Sequence, residues 1–319
     1  MNKMRLIINH NGVHFEPPVE EDIRIEWEKS GSCGKLTFTT IKMMEGGMNF
    51  VEGDQVLFYY EDKLVFVGYV FTKKRDRKHH IQVTCYDQLR YLKNKFTYVF
   101  ENKTATQIIQ MLCEDFNLQT GSMDNTGYVI PAVAEENKSA LDIIMDVLEE
   151  TLMNSGNMFV LYDDGGKITL KNSANMVSDT LIFEESAENF DYTSSIDSET
   201  YNSIVLYYKG DDDKISLYTA MNGTRMKEWG TLRYFEEVKN QTTAQNKANA
   251  LLKLYCRKTR ELKITGAFGD VNVRGGTLIP VKLNLGDIIT NNYMLVEKVT
   301  HIFKVDHYIM DLTLGGAWE

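Results

Sequence analysis

The chain has 319 residues, room for two or three domains with cores of their own, and its hydrophobic fraction of 43% and charged fraction of 25% are ordinary for a globular protein. A net charge of −10 excludes a general binder of nucleic-acid backbone, which needs clustered Lys and Arg to displace counterions. Aromatic residues are plentiful and there are only four Pro, which favours strands and ordered turns over a disordered chain.

Residues 1–95 read as β and are expected to form a first small barrel. A short strand over residues 5–9 ends at the turn Asn11-Gly12, and Pro17-Pro18 breaks the chain. Residues 23–27 and 35–39 alternate with period two on either side of a turn at residues 30–34. A cassette follows: Gly53-Asp54, a strand from Gln55, and strands over residues 64–71 and 81–86. Between the last two lies a basic run, Lys73-Lys74-Arg75-Asp76-Arg77-Lys78-His79-His80, expected as a solvated hairpin tip.

Residues 96–175 change character and read as an α+β domain. Thr104-Ala105-Thr106-Gln107 is a capping-box pattern ahead of Ile108, Ile109, Leu112 and Phe116 at helical spacing. A second helix starts at Ser139, carries Leu141, Ile144, Met145, Leu148 and Leu152 on one stripe, and stops at Asn154-Ser155-Gly156. A hairpin then turns at Asp163-Asp164-Gly165-Gly166.

Residues 176–319 return to β and are expected to form a second barrel with a helix inserted around 242–257. Strands are expected over 181–183, 201–208 and 215–220, with Asp211-Asp212-Asp213 at a hairpin tip. Another strand covers 262–266, and Gly275-Gly276 marks a turn. A second cassette then closes the chain: Gly286-Asp287-Ile288-Ile289, residues 294–303 and residues 308–314. The fold class expected is α+β, mainly β, with two similar small barrels and an α+β insertion between them.

A search for chemistry finds structural explanations throughout. There is no nucleophile elbow, zincin motif or phosphate-binding loop. Cys33, Cys85, Cys113 and Cys256 form no CxxC and sit in hydrophobic or strand contexts, as buried free thiols made in a reducing compartment would. His10, His14, His79, His80, His301 and His307 lack metal spacing, and the Asp-rich tips lack the Gly and Glu of a calcium loop. No catalytic residue, metal site or cofactor is expected. No apolar stretch reaches the length of a membrane span, and Met1-Asn2-Lys3-Met4-Arg5 leads straight into a strand without a signal peptide. Trp27, Trp229 and Trp318 would be core, interface or a glycan groove, and Trp318 is the candidate contact to a neighbouring chain.

The order barrel, helical insertion, barrel resembles the central baseplate hub of contractile phage tails, in the late-control-D-like form found in PBSX-type prophages and diffocin-type bacteriocins. The stretches that carry the resemblance are residues 66–70 and 83–92 (Val83-Thr84-Cys85-Tyr86-Asp87-Gln88-Leu89-Arg90-Tyr91-Leu92), Tyr201-Asn202-Ser203-Ile204-Val205, and Thr243-Ala244-Gln245 leading to Gly266 and residues 295–301. The resemblance implies a homotrimer whose six barrels match a hexameric tail tube protein while its threefold symmetry matches a central spike protein. It also implies a tape-measure protein in the lumen, baseplate wedge proteins as neighbours, and a place in a virion tail or tail-like particle after synthesis in the bacterial cytoplasm. The hydrolase domain of some relatives has no counterpart here and is not implied. Two other function classes remain: a cell-wall glycan-binding module, and a peptidoglycan hydrolase using an Asp/Glu pair.

Overall fold

A computed structural model describes residues 3–29, 31–41, 49–197, 199–210, 214–286 and 288–315. Trp318, the Asp211-Asp212-Asp213 tip and Asp287 of the second cassette lie outside the described residues. The structure is mainly β, arranged in several sheets. Two compact units divide it: Met1–Asp191 with Leu262–Glu319, and Tyr192–Glu261.

In the larger unit, strands from both ends of the sequence share one sheet. The path runs from Asn189–Ser195 and Thr259–Phe268 through Tyr308–Gly315, Ile289–Phe303, Val19–Glu28, Lys35–Ile41, His80–Tyr86, Lys63–Arg75 and Gln55–Tyr60 to Met4–His10 and Val13–Phe15. No described ladder returns on itself to close a barrel; the two expected barrels are continuous with one another through the antiparallel pair Val19–Glu28 and Ile289–Phe303. Alternation decides which face is buried. Leu36, Phe38, Val56, Phe58, Val83 and Cys85 turn inward in the first half, as do Leu262, Ile264, Ile279, Val281, Leu312 and Leu314 in the second. Each large side chain so buried contributes about 1.5–3 kcal/mol.

The α+β part forms as its caps and periodicity demand. Thr104 accepts from Gln107 N–H while the Gln107 side chain accepts from Thr104 N–H, starting the helix Ala105–Asp115. Ser139 caps Ala140–Ser155, which ends on Gly156 in the left-handed region at φ 73°. Ile108, Ile109, Leu112, Leu141, Ile144 and Leu148 from these helices meet Phe159, Leu161, Ile168 and Leu170 of the hairpin in one core. The hairpin pairs Phe159–Asp163 with Ile168–Asn172, and Thr120–Met123 adds to it in parallel. A separate ladder of Lys95–Thr104 with Val129–Ser139 flanks the helices.

The smaller unit carries a three-stranded sheet. Ser203–Lys209 is central, antiparallel to Ile215–Met221 and parallel to Arg233–Glu237. The parallel step needs a crossover, which includes the short helix Gly223–Trp229 that the sequence reading missed. The expected inserted helix is Ala244–Tyr255, with Ala244, Ala248 and Leu251 buried. On the sheet's other face Leu217, Met221 and Phe235 are exposed, and Phe235 stacks on Tyr207 at 5.0 Å.

Candidate functional site

The internal repeat is written in the hydrogen bonds of the backbone. In the first copy, Gly53 N–H donates to Val70 O at 2.8 Å and Val70 N–H returns to Asp54 O at 2.9 Å. In the second, Gly276 N–H donates to Val296 O at 2.8 Å and Val296 N–H returns to Thr277 O at 2.8 Å. The turn ahead of each is closed by a side chain: Asp54 Oδ2 accepts from Val51 N–H at 2.7 Å, and Thr277 Oγ1 accepts from Arg274 N–H at 3.1 Å. Gly53 and Gly276 sit at φ +96° and +89°, where a side chain would be strained.

The ladders after these turns keep the same register. Gln55 faces Tyr69 and Val56 faces Gly68; Leu278 faces Leu295 and Ile279 faces Met294. A bulge falls between Val70 and Thr72 in one long strand and between Val296 and Lys298 in the other. Leu36 opposes Cys85 as Leu262 opposes Leu314. The partner of Gly53-Asp54 is therefore Gly276-Thr277, and the sequence pairing with Gly286-Asp287 is one strand out of step. Gly286 lies past the end of Leu278–Asn284, at the place of the Glu61-Asp62 hairpin turn in the first copy. The Gly-Asp dipeptide misled because Thr replaces Asp with the same acceptor function, which only the hydrogen bond reveals.

The two copies meet at a seam. Lys298 pairs with Glu28, His301 with Ile25 and Phe303 with Ile23 across an antiparallel ladder. Lys298 Nζ reaches both Glu26 and Glu28 at 3.2 Å, and Lys29 Nζ reaches Glu297 at 2.7 Å. Burial opposes the charge on Glu26, yet Lys35 and Lys298 hold its carboxyl below the usual value. Trp27 packs edge-on to His301 at 5.0 Å.

Arg274 locks this seam to the α+β part. The side chain is largely covered, with 12% of its surface exposed, stacks over Tyr162 at 4.3 Å and Trp27 at 4.8 Å, and donates to Asp163 O at 3.0 Å. Asp87 lies close by, accepting from Gly34 N–H at 2.7 Å and Leu89 N–H at 3.0 Å. Asp163 accepts from Gly166 N–H at 2.6 Å and from Gln88 at 3.2 Å. Burial drives the Asp87 carboxyl well above its ordinary range, the nearby Asp163 adds to the rise, and Asp163 is raised by burial too. A small cavity lined by Trp27, Asp87, Tyr162, Asp163 and Arg274 marks the junction. The neighbouring glycines leave no room: a Cβ on Gly275 would lie 2.2 Å from the Glu28 carbonyl carbon, and one on Gly34 2.4 Å from Asp87. The sequence places Asp163 in a hairpin turn and Asp87 in a family-like stretch but does not join them to Arg274, since the three are far apart in the chain.

The cluster's hydrogen bonds go largely to backbone groups, and the other described residues considered for chemistry make the following contacts. Burial raises the thiols of Cys33, Cys85, Cys113 and Cys256, that of Cys113 to about 12, so they are poor nucleophiles. Among the described residues no group of three His, Cys, Asp or Glu is arranged to hold a metal. His10 and His14 flank the Asn11-Gly12 turn, and His10 pairs with Asp54 at 2.9 Å. His301 is buried between Tyr308 Oη at 2.6 Å and Val273 O at 2.9 Å, and burial lowers its pKa to about 4. His80 contacts Asp76 at 2.9 Å and Glu20 at 3.4 Å beside an open surface hollow of about 450 Å³. Trp27 is buried and unavailable to a glycan, and Trp229 lies under the Arg225 guanidinium at 4.8 Å. Among the described residues no helix is long and apolar enough to cross a membrane.

Known proteins share both sequence and fold with this chain. The phage-like element PBSX protein XkdQ of Bacillus subtilis is 31% identical over 268 residues, covering 82% of this chain and 81% of that protein. The 43 kDa tail protein of prophage MuSo2 from Shewanella oneidensis has the same fold, with a TM-score of 0.74 at 12% identity over 97% of this chain and 98% of that one. A type VI secretion component of Escherichia coli, c3393, described as similar to the T4 bacteriophage tail proteins gp27 and gp5, matches at a TM-score of 0.54 and 11% identity, covering 98% of this chain and 77% of its own. The family described as YQBQ-like matches residues 23–315, and the chain belongs to that family.

Proposed function

We propose that this chain is a structural hub of a contractile phage tail or tail-like bacteriocin baseplate, with no enzymatic role. Three copies form a ring in which the two repeats of each chain act as six equivalent barrel-like modules. That ring joins a hexameric tail tube to a trimeric central spike and so adapts one symmetry to the other. The single observation behind this reading is the repeat of turn, register and bulge described above. A protein that carries one module twice offers sixfold equivalence from three chains. The fold shared with a prophage tail protein and the 31% identity to a PBSX protein support it. The tube, spike, tape-measure and wedge proteins of the same tail are the partners, and the division into residues 1–95, 96–175 and 176–319 describes two modules and an insertion. Trp318 is assigned to a contact with a neighbouring subunit.

The test is assembly. Co-expression with tube and spike proteins of the same tail should give a threefold particle at the end of the tube by electron microscopy. Tails that assemble a complete baseplate without this chain would overturn the reading.

A further inference from the structure

Among the described residues the repeat leaves two edges without a partner strand, and they match the two edges that form the seam. In the second copy, residues 298–303 of the long strand pair on one side with Tyr308–Gly315 and on the other with Val19–Glu28. In the first copy, residues 72–75 of the long strand pair with His80–Tyr86, while among the described residues no strand pairs on their other side. Asp76 N–H donates toward His80 O, so alternation turns the main-chain groups of Lys73 and Arg75 to that open side. The counterpart of Val19–Glu28, which borders the first copy, is the strand Asn189–Ser195, which begins beside Thr259–Phe268 with Glu188 N–H donating to Thr265 O. That strand ends the path of the sheet, and its outer side has no described partner strand.

We infer that the open edge at residues 72–75 of one chain pairs antiparallel with the strand starting at Asn189 of a second copy, repeating between chains the seam that the fold makes within one. The inference rests on the hub reading and names its contact. Addition of a strand to an exposed edge supplies main-chain hydrogen bonds, and side-chain charge supplies register. The charges agree. Within the chain, Lys298 on the long strand meets Glu26 and Glu28 on the bordering strand. On the open edges, Lys74 and Arg75 are exposed on the long strand, with Arg77 and Lys78 beyond it, while Glu184, Glu185, Glu188 and Asp191 are exposed around the bordering strand. The basic run is then half of a contact, in a chain whose net charge of −10 would otherwise make subunits repel. Phe183 and Phe190, 38% and 37% exposed, add apolar surface beside the acidic edge. Donor and acceptor edges differ, so the contact is head-to-tail: it closes into a ring where rotation allows, and a free edge capped on one chain stops growth.

The experiment compares hydrogen–deuterium exchange of the full-length protein, free and in the assembled ring, with the double reversal Lys74→Glu/Arg75→Glu, the reversal Asp191→Lys, and the two combined. Assembly is expected to slow amide exchange at residues 73 and 75 and at 189–191 at least 10-fold, with residues 299–303 slow in both states. Either reversal is expected to weaken assembly at least 10-fold, and the combination to recover most of it. A ring that forms with both edges exchanging as fast as in the free chain, or that ignores both reversals, overturns this contact and leaves the hub reading standing. Failure of the wild-type chain to form a ring even with tube and spike proteins overturns both.

Discussion

The two copies of the repeat have the same backbone and opposite surroundings. The residue that opens the turn is Val51 in the first copy, 43% exposed, and Arg274 in the second, largely covered between Trp27 and Tyr162. The glycine that follows two residues later faces open space at Gly53 but lies against Val160 at Gly276. The position of Arg75, on the open edge, is that of His301, sealed beneath Trp27. A repeated module keeps what its hydrogen bonds require. Side chains diverge according to whether the rest of the chain covers them.

The largest difference should appear at the turn-opening residue. Arg274→Ala leaves buried carboxyls and the Asp163 carbonyl without their cation and is expected to cost about 3–5 kcal/mol, whereas Val51→Ala at the matching place is expected to cost under about 0.5 kcal/mol. Chemical denaturation of both variants measures this, and equal losses would break the comparison.

A second contrast is pH dependence at His301. Its folded pKa of about 4 lies below the ordinary 6.5 because burial disfavours the imidazolium. Above pH 6.5 neither state binds the proton and the full stability is present. As pH falls from 6.5 to 4 the unfolded chain gains a proton that the folded chain refuses, so about 3 kcal/mol is lost across that window. Asp87 acts in the opposite sense, since its raised pKa makes acid relieve the cost of burying its charge. Stability of His301→Asn measured against pH should therefore lack the wild-type fall between 6.5 and 4. A parallel pH profile would show that His301 does not titrate as inferred.

The paired glycines sharpen the same point at smaller scale. Gly53→Ala meets only backbone strain, about 1–2 kcal/mol, while Gly276→Ala adds a Cβ 2.4 Å from Val160 and is expected to cost at least about 1 kcal/mol more. Thermal melts compare them directly. Smallest of all are the turn-closing side chains: Asp54→Ala and Thr277→Ala each remove one acceptor from an equivalent N–H, for losses of about 0.5–1 kcal/mol each. A large disparity would mean that the two turns are not equivalent in energy, with the His10–Asp54 pair the first place to look.

Local signals carried much of the fold into the sequence. Thr104 with Gln107, Ser139 and Gly156 mark helix ends through bonds made within a few residues, and the Asp163–Gly166 turn is a steric statement about adjacent backbone. Strand alternation over residues 35–39 puts Leu36 and Phe38 on one face, and both are buried. The repeat was visible too, but misaligned by a strand, because residues 278–284, with Pro280 among them, do not read as a strand in sequence as clearly as residues 55–60 do. The strand at Lys63–Arg75 also runs further into the basic run than a solvated tip would, held by its ladder to His80–Tyr86.

Sequence by itself determined the mainly β character, the capped helices, the core faces and the existence of a duplicated cassette, since each depends on contacts between near neighbours or on a period along the chain. Tertiary structure alone decided which residues of the two copies correspond, that their strands run together through one seam, and that Arg274, Asp87 and Asp163 share a buried junction. Those facts rest on hydrogen bonds and charges brought together from distant parts of the chain, and neither periodicity nor composition records a partner hundreds of residues away.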